Sequence, residues 1–164
     1  MSSRRSLLNS VFGSLALSSV FVGALAVGSA YAAEERGTQQ EAKAMADAAL
    51  AHIAKAGFEP ALKDFSADKA SWVKKDLYVV VFNYEGKCLT HGVNDKLIGK
   101  AMWDIKDQNG KAFVQDFVAS AKAKSEGWVD LAWAHPQTKK PEPKRMSTRR
   151  IPGQDAVLVV GYYL

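Results

Sequence analysis

His91 and Asp95, four residues apart in "HGVND", form a histidine-carboxylate pair of the kind used for general acid-base chemistry. Such a pair needs a group to activate, and the only hydroxyl beside the histidine is Thr90. Thr90 adjoins His91 in an expected strand and so points to the opposite face. The chain has no recognisable Ser-His-Asp or Cys-His-Asn spacing, no metal-binding histidine pair and no phosphate-cradling glycine loop. Cys88 is the single cysteine, which rules out an intrachain disulfide, and Cys88-x-x-His91 lacks the second cysteine of a haem attachment site. Neither catalysis nor a cofactor is expected. His91 is left with two roles, bonding to the turn backbone at a strand end or touching a ligand.

The elements around His91 follow from periodicity. From Glu34 to about Ala56 the chain is rich in alanine, and Met45, Ala48, Ala49, His52, Ile53 and Ala56 recur at helical spacing up to Gly57. Pro60 opens a shorter helical stretch with Leu62 and Phe65, and Ser66 or Asp68 could cap a further turn up to Trp72. The period then changes. "DLYVVVFNYEG" is dense in β-branched and aromatic residues, so Leu77 to Tyr84 and Lys87 to His91 read as a hairpin. Asp107 to Gly110 is turn chemistry, and Lys111 to Lys124 carries Phe113, Phe117 and Ala121 on one helical face. Three candidate strands follow, "WVDLAWA", "KRMSTRRI" and "AVLVVGYYL", joined by "HPQTKKPEP" and "PGQD". This order implies an α+β fold: an antiparallel sheet of about five strands, a long amino-terminal helix and flanking helices, the topology of PAS-like sensors.

Residues 1–32 are expected to lie outside that fold. Arg4 and Arg5 precede an apolar run from Leu7 to Gly28, and Ala30-Tyr31-Ala32 is a small-x-small cleavage signal. This reads as an export signal with a loose likeness to the twin-arginine type. Left uncleaved, the same run would serve as a membrane anchor. Residues 33–164 suit one domain with its own core. The whole chain carries +5, falling to about +3 without Arg4 and Arg5. A balance that mild gives no footprint for nucleic acid.

The motif order resembles a known family. Asn83 to Gly86 followed by His91, then Asn94-x-x-Leu97-Ile98-Gly99-Lys100, Asp107-x-x-Gly110-Lys111, Gly127-Trp128-Val129, Trp133 with Pro136, Pro143-Lys144, Pro152-Gly153 and Gly161-x-Tyr163 together resemble the single Cache domain of the second type. The likeness runs from about Leu77 to Tyr163, and the alanine-rich helix matches the family's long leading helix. It implies an extracytoplasmic, ligand-binding sensor domain, suited in many members to small organic acids. A carboxylate in a closed cavity needs fixed donors to replace its water. Lys144, Arg145 and His91 could supply them, with Trp128, Trp133, Trp103 and Tyr78 as walls. Strand alternation lets only one of Lys144 and Arg145 face the pocket, and the family pattern favours Lys144. Arg149 and Arg150 are expected at a solvated, charged strand end.

The resemblance also implies a membrane receptor or kinase partner and allows a homodimer through the first helix. Gly92 stands where the family commonly has proline. Leu131, Ser147 and Ala156 stand where aromatics are common, so the pocket is expected to be altered, enlarged or lost. A structural or protein-interaction module without a ligand is the alternative reading.

Overall fold

The computed structural model describes residues 35–164, and the expected export signal lies outside them. Helix α1 spans Gln39–Ala56 and starts five residues later than its alanine-rich composition suggests. Two contacts fix that start. Gly37 donates its N–H to Asp76 Oδ1 at 2.5 Å, and Thr38 and Glu41 form a reciprocal capping box. Gly57 ends the helix at φ 92°, a conformation that side chains disfavour. The buried stripe is Ala42, Met45, Ala46, Ala49 and Ile53, whereas Ala48 and Ala56 are exposed. α2 (Phe58–Ala67) follows at once, with Pro60 in its first turn, and Asp68 caps the single-turn α3 (Lys69–Trp72). His52 on α1 bonds Asp64 of α2 at 2.7 Å and packs against Phe65 and Trp72, a packing role.

The sheet has the order β3-β2-β6-β5-β4, antiparallel throughout, from strands β2 (Leu77–Asn83), β3 (Cys88–His91), β4 (Glu126–Ala134), β5 (Pro141–Arg150) and β6 (Ala156–Tyr163). A two-residue strand, β1 (Val73–Lys74), pairs with the start of β2 and was not legible in the sequence. Helix α4 (Phe113–Ala123) connects the hairpin side to β4.

Side-chain alternation gives the sheet two different faces. Leu77, Val79, Val81, Leu158 and Val160 pack under α1 and α2. Val80, Phe82, Met146, Val157 and Val159 pack against α4 through Phe113, Phe117 and Val118. Burying a side chain of this size contributes about 1.5–3 kcal/mol, so both layers stabilise the sheet. Ser147 and Ala156 are buried on the α1 side. Small residues there let the alanine stripe of α1 approach closely.

Arg149 also corrects an expectation. Instead of ending a strand in solvent it is 3% exposed, with Nε 3.3 Å from Asp47 of α1 and Nη1 3.4 Å from Glu126. Arg150 has an anchored head as well, because Nε donates to the Ala121 carbonyl at 2.7 Å and so satisfies the carboxyl end of α4.

Candidate functional site

On the α4 face, towards the ends of β2, β4 and β5, the layers leave a cavity of about 30 Å³. At the ~10–15 Å³ that one water requires, it holds about two. Its lining is aliphatic or aromatic apart from Lys144 and His91, and among the described residues no carboxylate lines it.

Lys144 sits on β5 opposite Leu131 of β4 and Tyr163 of β6. It is 1% exposed, and among the described residues Nζ has no hydrogen-bond partner. Instead, Nζ lies 4.0 Å from the centroid of the Tyr78 ring and 4.4 Å from that of Tyr163. Desolvating an ammonium costs several kcal/mol. Each aromatic face returns about 2 kcal/mol when dry. The two rings offset part of the cost and leave all three N–H donors of Lys144 without an acceptor.

The backbone makes room for this lysine. Gly161 of β6 pairs with Met146, and a Cβ on it would overlap Met146 Sδ and lie 2.8 Å from Lys144 Cε. Tyr163 is held by its hydroxyl, which donates to the Ala134 carbonyl at 2.8 Å. Burial, together with neighbouring Tyr78 and Asp76, pushes its phenol above the ordinary range, so it remains a donor. Arg145, next along β5, points the other way and makes a two-pronged pair with exposed Asp130 at 2.6 and 2.8 Å.

His91 at the end of β3 is 4% exposed and stacks on Tyr78, ring centroids 5.1 Å apart. Its Nδ1 accepts the N–H groups of Val93 at 3.3 Å and Asn94 at 3.1 Å. That assigns the proton to Nε2 and leaves an N–H donor on the ring. Burial, then the charges of Lys144 and Lys69, lowers its pKa to about 4, so the ring is neutral at physiological pH. The turn role and a place on the cavity wall therefore coexist in one side chain. Gly92 supports both. Its N–H extends the ladder to the Val79 carbonyl at 2.9 Å, a bond that proline cannot make, and a Cβ would lie 2.8 Å from that of Tyr78.

The walls expected from the sequence divide. Tyr78 and Trp133 line the cavity, and Trp133 meets Phe113 edge to face at 5.1 Å. Trp128 lies on the opposite face of β4, against Tyr162, because it is out of phase with Leu131 and Trp133. Trp103 packs over Gly86 of the β2-β3 turn and is not part of the cavity wall. Of the three positions with missing aromatics only Leu131 borders the cavity, since Ser147 and Ala156 belong to the other face.

Sequence reasoning named Tyr163, Gly161 and Asp107 only as motif or turn residues and gave them no place at the site. Asp107 accepts the N–H groups of Asn109 and Lys111 on one oxygen and of Ala132 on the other, tying its loop to β4 between the two wall residues Leu131 and Trp133. Burial alone would raise its pKa, but these three donors outweigh it and hold the carboxyl below the usual range. The Asp-x-x-Gly spacing was the available signal for this loop. Cys88 is buried, and burial pushes its thiol up to about 12.

No curated protein matches the chain significantly. Among solved structures, a methyl-accepting chemotaxis protein from Vibrio parahaemolyticus RIMD 2210633 aligns with a TM-score of 0.67 at 23% identity, covering 76% of this chain and 86% of that one. A periplasmic sensor domain of a chemotaxis protein aligns at 0.61 and 24%, covering 76% and 89%. A Cache chemosensory domain, whose structure explains its carboxylic acid recognition, aligns at 0.60 and 24%, covering 76% and 87%. Identities this low establish the shared fold alone. The family model for single Cache domain 2 matches residues 20–164, which span the long leading helix, the five-stranded sheet and the cavity over Lys144. The chain belongs to the single Cache domain 2 family, whose members are sensor domains and typically non-catalytic.

Proposed function

We propose that this domain binds a short carboxylate with Lys144 Nζ and the Nε2–H of His91, between Tyr78 and Trp133. The observation that supports it is the buried, unaccepted ammonium of Lys144 in a cavity without an acid. An anion in that space supplies the missing acceptor, and a charge-assisted bond there is stronger than a neutral one. Amino acids and amines are disfavoured, because their ammonium group would meet the like charge of Lys144, which already occupies the faces of Tyr78 and Tyr163. The carboxylic acid recognised by one structural relative agrees with this chemistry. The cavity offers donors without a nucleophile beside a base, so its role is binding rather than turnover.

Export by residues 1–32 would place the domain outside the cytoplasm, where it would act with a membrane receptor or kinase partner. Pairing of two copies along α1, where Ala44 and Ala48 are exposed, would give the bound state a route to that partner. The small cavity favours the second reading, a ligand-less interaction module. Thermal melting in the presence of short carboxylates, amino acids and amines separates the two. A binder melts higher with acids alone, by mass action, whereas a flat screen rejects the carboxylate site.

A further inference from the structure

The cavity over Lys144 has a larger neighbour. A groove of about 470 Å³ opens beside it, bordered by Val93 and Asn94 after β3 and by Pro136 and Lys139 of the β4-β5 loop. Cavity and groove share three lining residues, Tyr78, His91 and Trp133, so these side chains separate the two spaces.

The three are not equally fixed. Tyr78 is buried in β2 beneath Lys144, and the His91 ring is tied to two backbone N–H groups. Trp133 is half-buried near the end of β4, an edge strand of the sheet. It also borders a third hollow, of about 200 Å³, on the side of Asp107 and Pro141. The indole meets Phe113 edge to face and otherwise borders these three hollows.

The two main spaces differ in chemistry. Lys96, Lys139 and His135 line the groove and, among the described residues, no carboxylate does, whereas the cavity beyond Trp133 is aliphatic or aromatic up to His91 and Lys144.

We infer that Trp133 is the residue that sets ligand length. In place, it confines the ligand to the shortest acids, because the closed cavity has space for only about two waters. Moved or shortened, it joins the cavity to the groove and admits a longer acid, with its far end among Lys96 and Lys139. Acids with a second carboxylate gain most, since that end meets cations. This inference rests on the proposed carboxylate site at Lys144.

Calorimetric titration of the purified protein with acetate, propionate, butyrate and succinate tests it, on the unaltered chain, Trp133→Ala and Trp133→Leu. The unaltered chain should bind acetate best and discriminate against each further methylene by about 10-fold or more. Trp133→Ala should lose that discrimination and gain about 10-fold or more for succinate. If the alanine variant fails to melt cooperatively, Trp133→Leu, which keeps apolar bulk, carries the same comparison. Binding of short acids with an unchanged length order in the variants overturns the role of Trp133 and leaves the Lys144 site standing. Absence of acid binding by the unaltered chain overturns both.

Discussion

Lys144 Nζ lies 4.0 Å from the centre of the Tyr78 ring, inside a wall that contains no acid. The alternation of β5 puts it there, and the absence of a side chain at Gly161 lets it lie flat. In most domains a lysine at a strand position snorkels to water. Here its head is buried, and the two aromatic faces offset only part of the desolvation cost.

Replacing the ammonium with a thioether of similar length separates binding from folding. Lys144→Met should weaken carboxylate binding by about 100-fold or more, equivalent to about 3 kcal/mol for a lost buried charge partner. The melting temperature of the ligand-free protein should stay level or rise, because an unpaired buried charge has been removed. Calorimetric titration and thermal melting of the same preparation report both effects.

Gly161→Ala should act on the same lysine from behind. The added methyl overlaps Met146 Sδ and meets Lys144 Cε at 2.8 Å, and the backbone carbonyl oxygen of Arg145 at 3.0 Å prevents escape on that side. Overpacking of this kind costs about 1–3 kcal/mol and should lower both the melting temperature and acid affinity. Gly153→Ala is the comparison: its methyl meets nothing within 4 Å, and only its φ of 72° opposes it. Loss of affinity should follow Gly161 alone.

His91 makes stability depend on pH in a stated direction. Its folded pKa is lowered to about 4 from 6.5, so as pH falls below 6.5 the unfolded chain takes up a proton before the folded one does. Stability contributed by the neutral ring is present above pH 6.5 and is lost progressively down to about pH 4. The full loss is about 3 kcal/mol at 1.36 kcal/mol per pKa unit. Urea melts between pH 7 and 4 should show it, and His91→Gln should flatten that part of the profile. A bound carboxylate should raise the His91 pKa, which an NMR titration of the ring reads directly.

Cys88 should be inert. Burial pushes its thiol up to about 12, and its Sγ donates to the Thr90 carbonyl at 3.5 Å. A chromogenic thiol reagent at pH 8 should leave the native protein unlabelled and react with one equivalent in denaturant.

The parts of the site that alternation and local turn chemistry govern were legible in the sequence. That only one of Lys144 and Arg145 faces the cavity, and that Leu131 and Trp133 share a face, follow from a period of two. The choice of Lys144 came from the family pattern, and the hairpin ending at His91 from its β-branched run and turn residues. What depends on distant pairing was not. Arg149 is buried because Asp47, 102 residues earlier, reaches it from α1. Tyr163 became a partner of Lys144 through the β5-β6 register, and Trp128 was lost to the site because the pocket uses only the α4 face. Ser147 and Ala156 were expected to affect the pocket, yet they shape the seat of α1. Composition showed that these positions are small, and only the packing of two layers showed on which side.

The proposed role of the buried Lys144 ammonium is to hold a short carboxylate. Its most direct measurement is the heat of binding of acetate and propionate to the unaltered protein and to Lys144→Met at one pH and ionic strength. Saturable one-to-one binding that disappears in Lys144→Met, while the variant melts as high as the original, is the expected result. Equal binding by both proteins, or no binding by either, would contradict it.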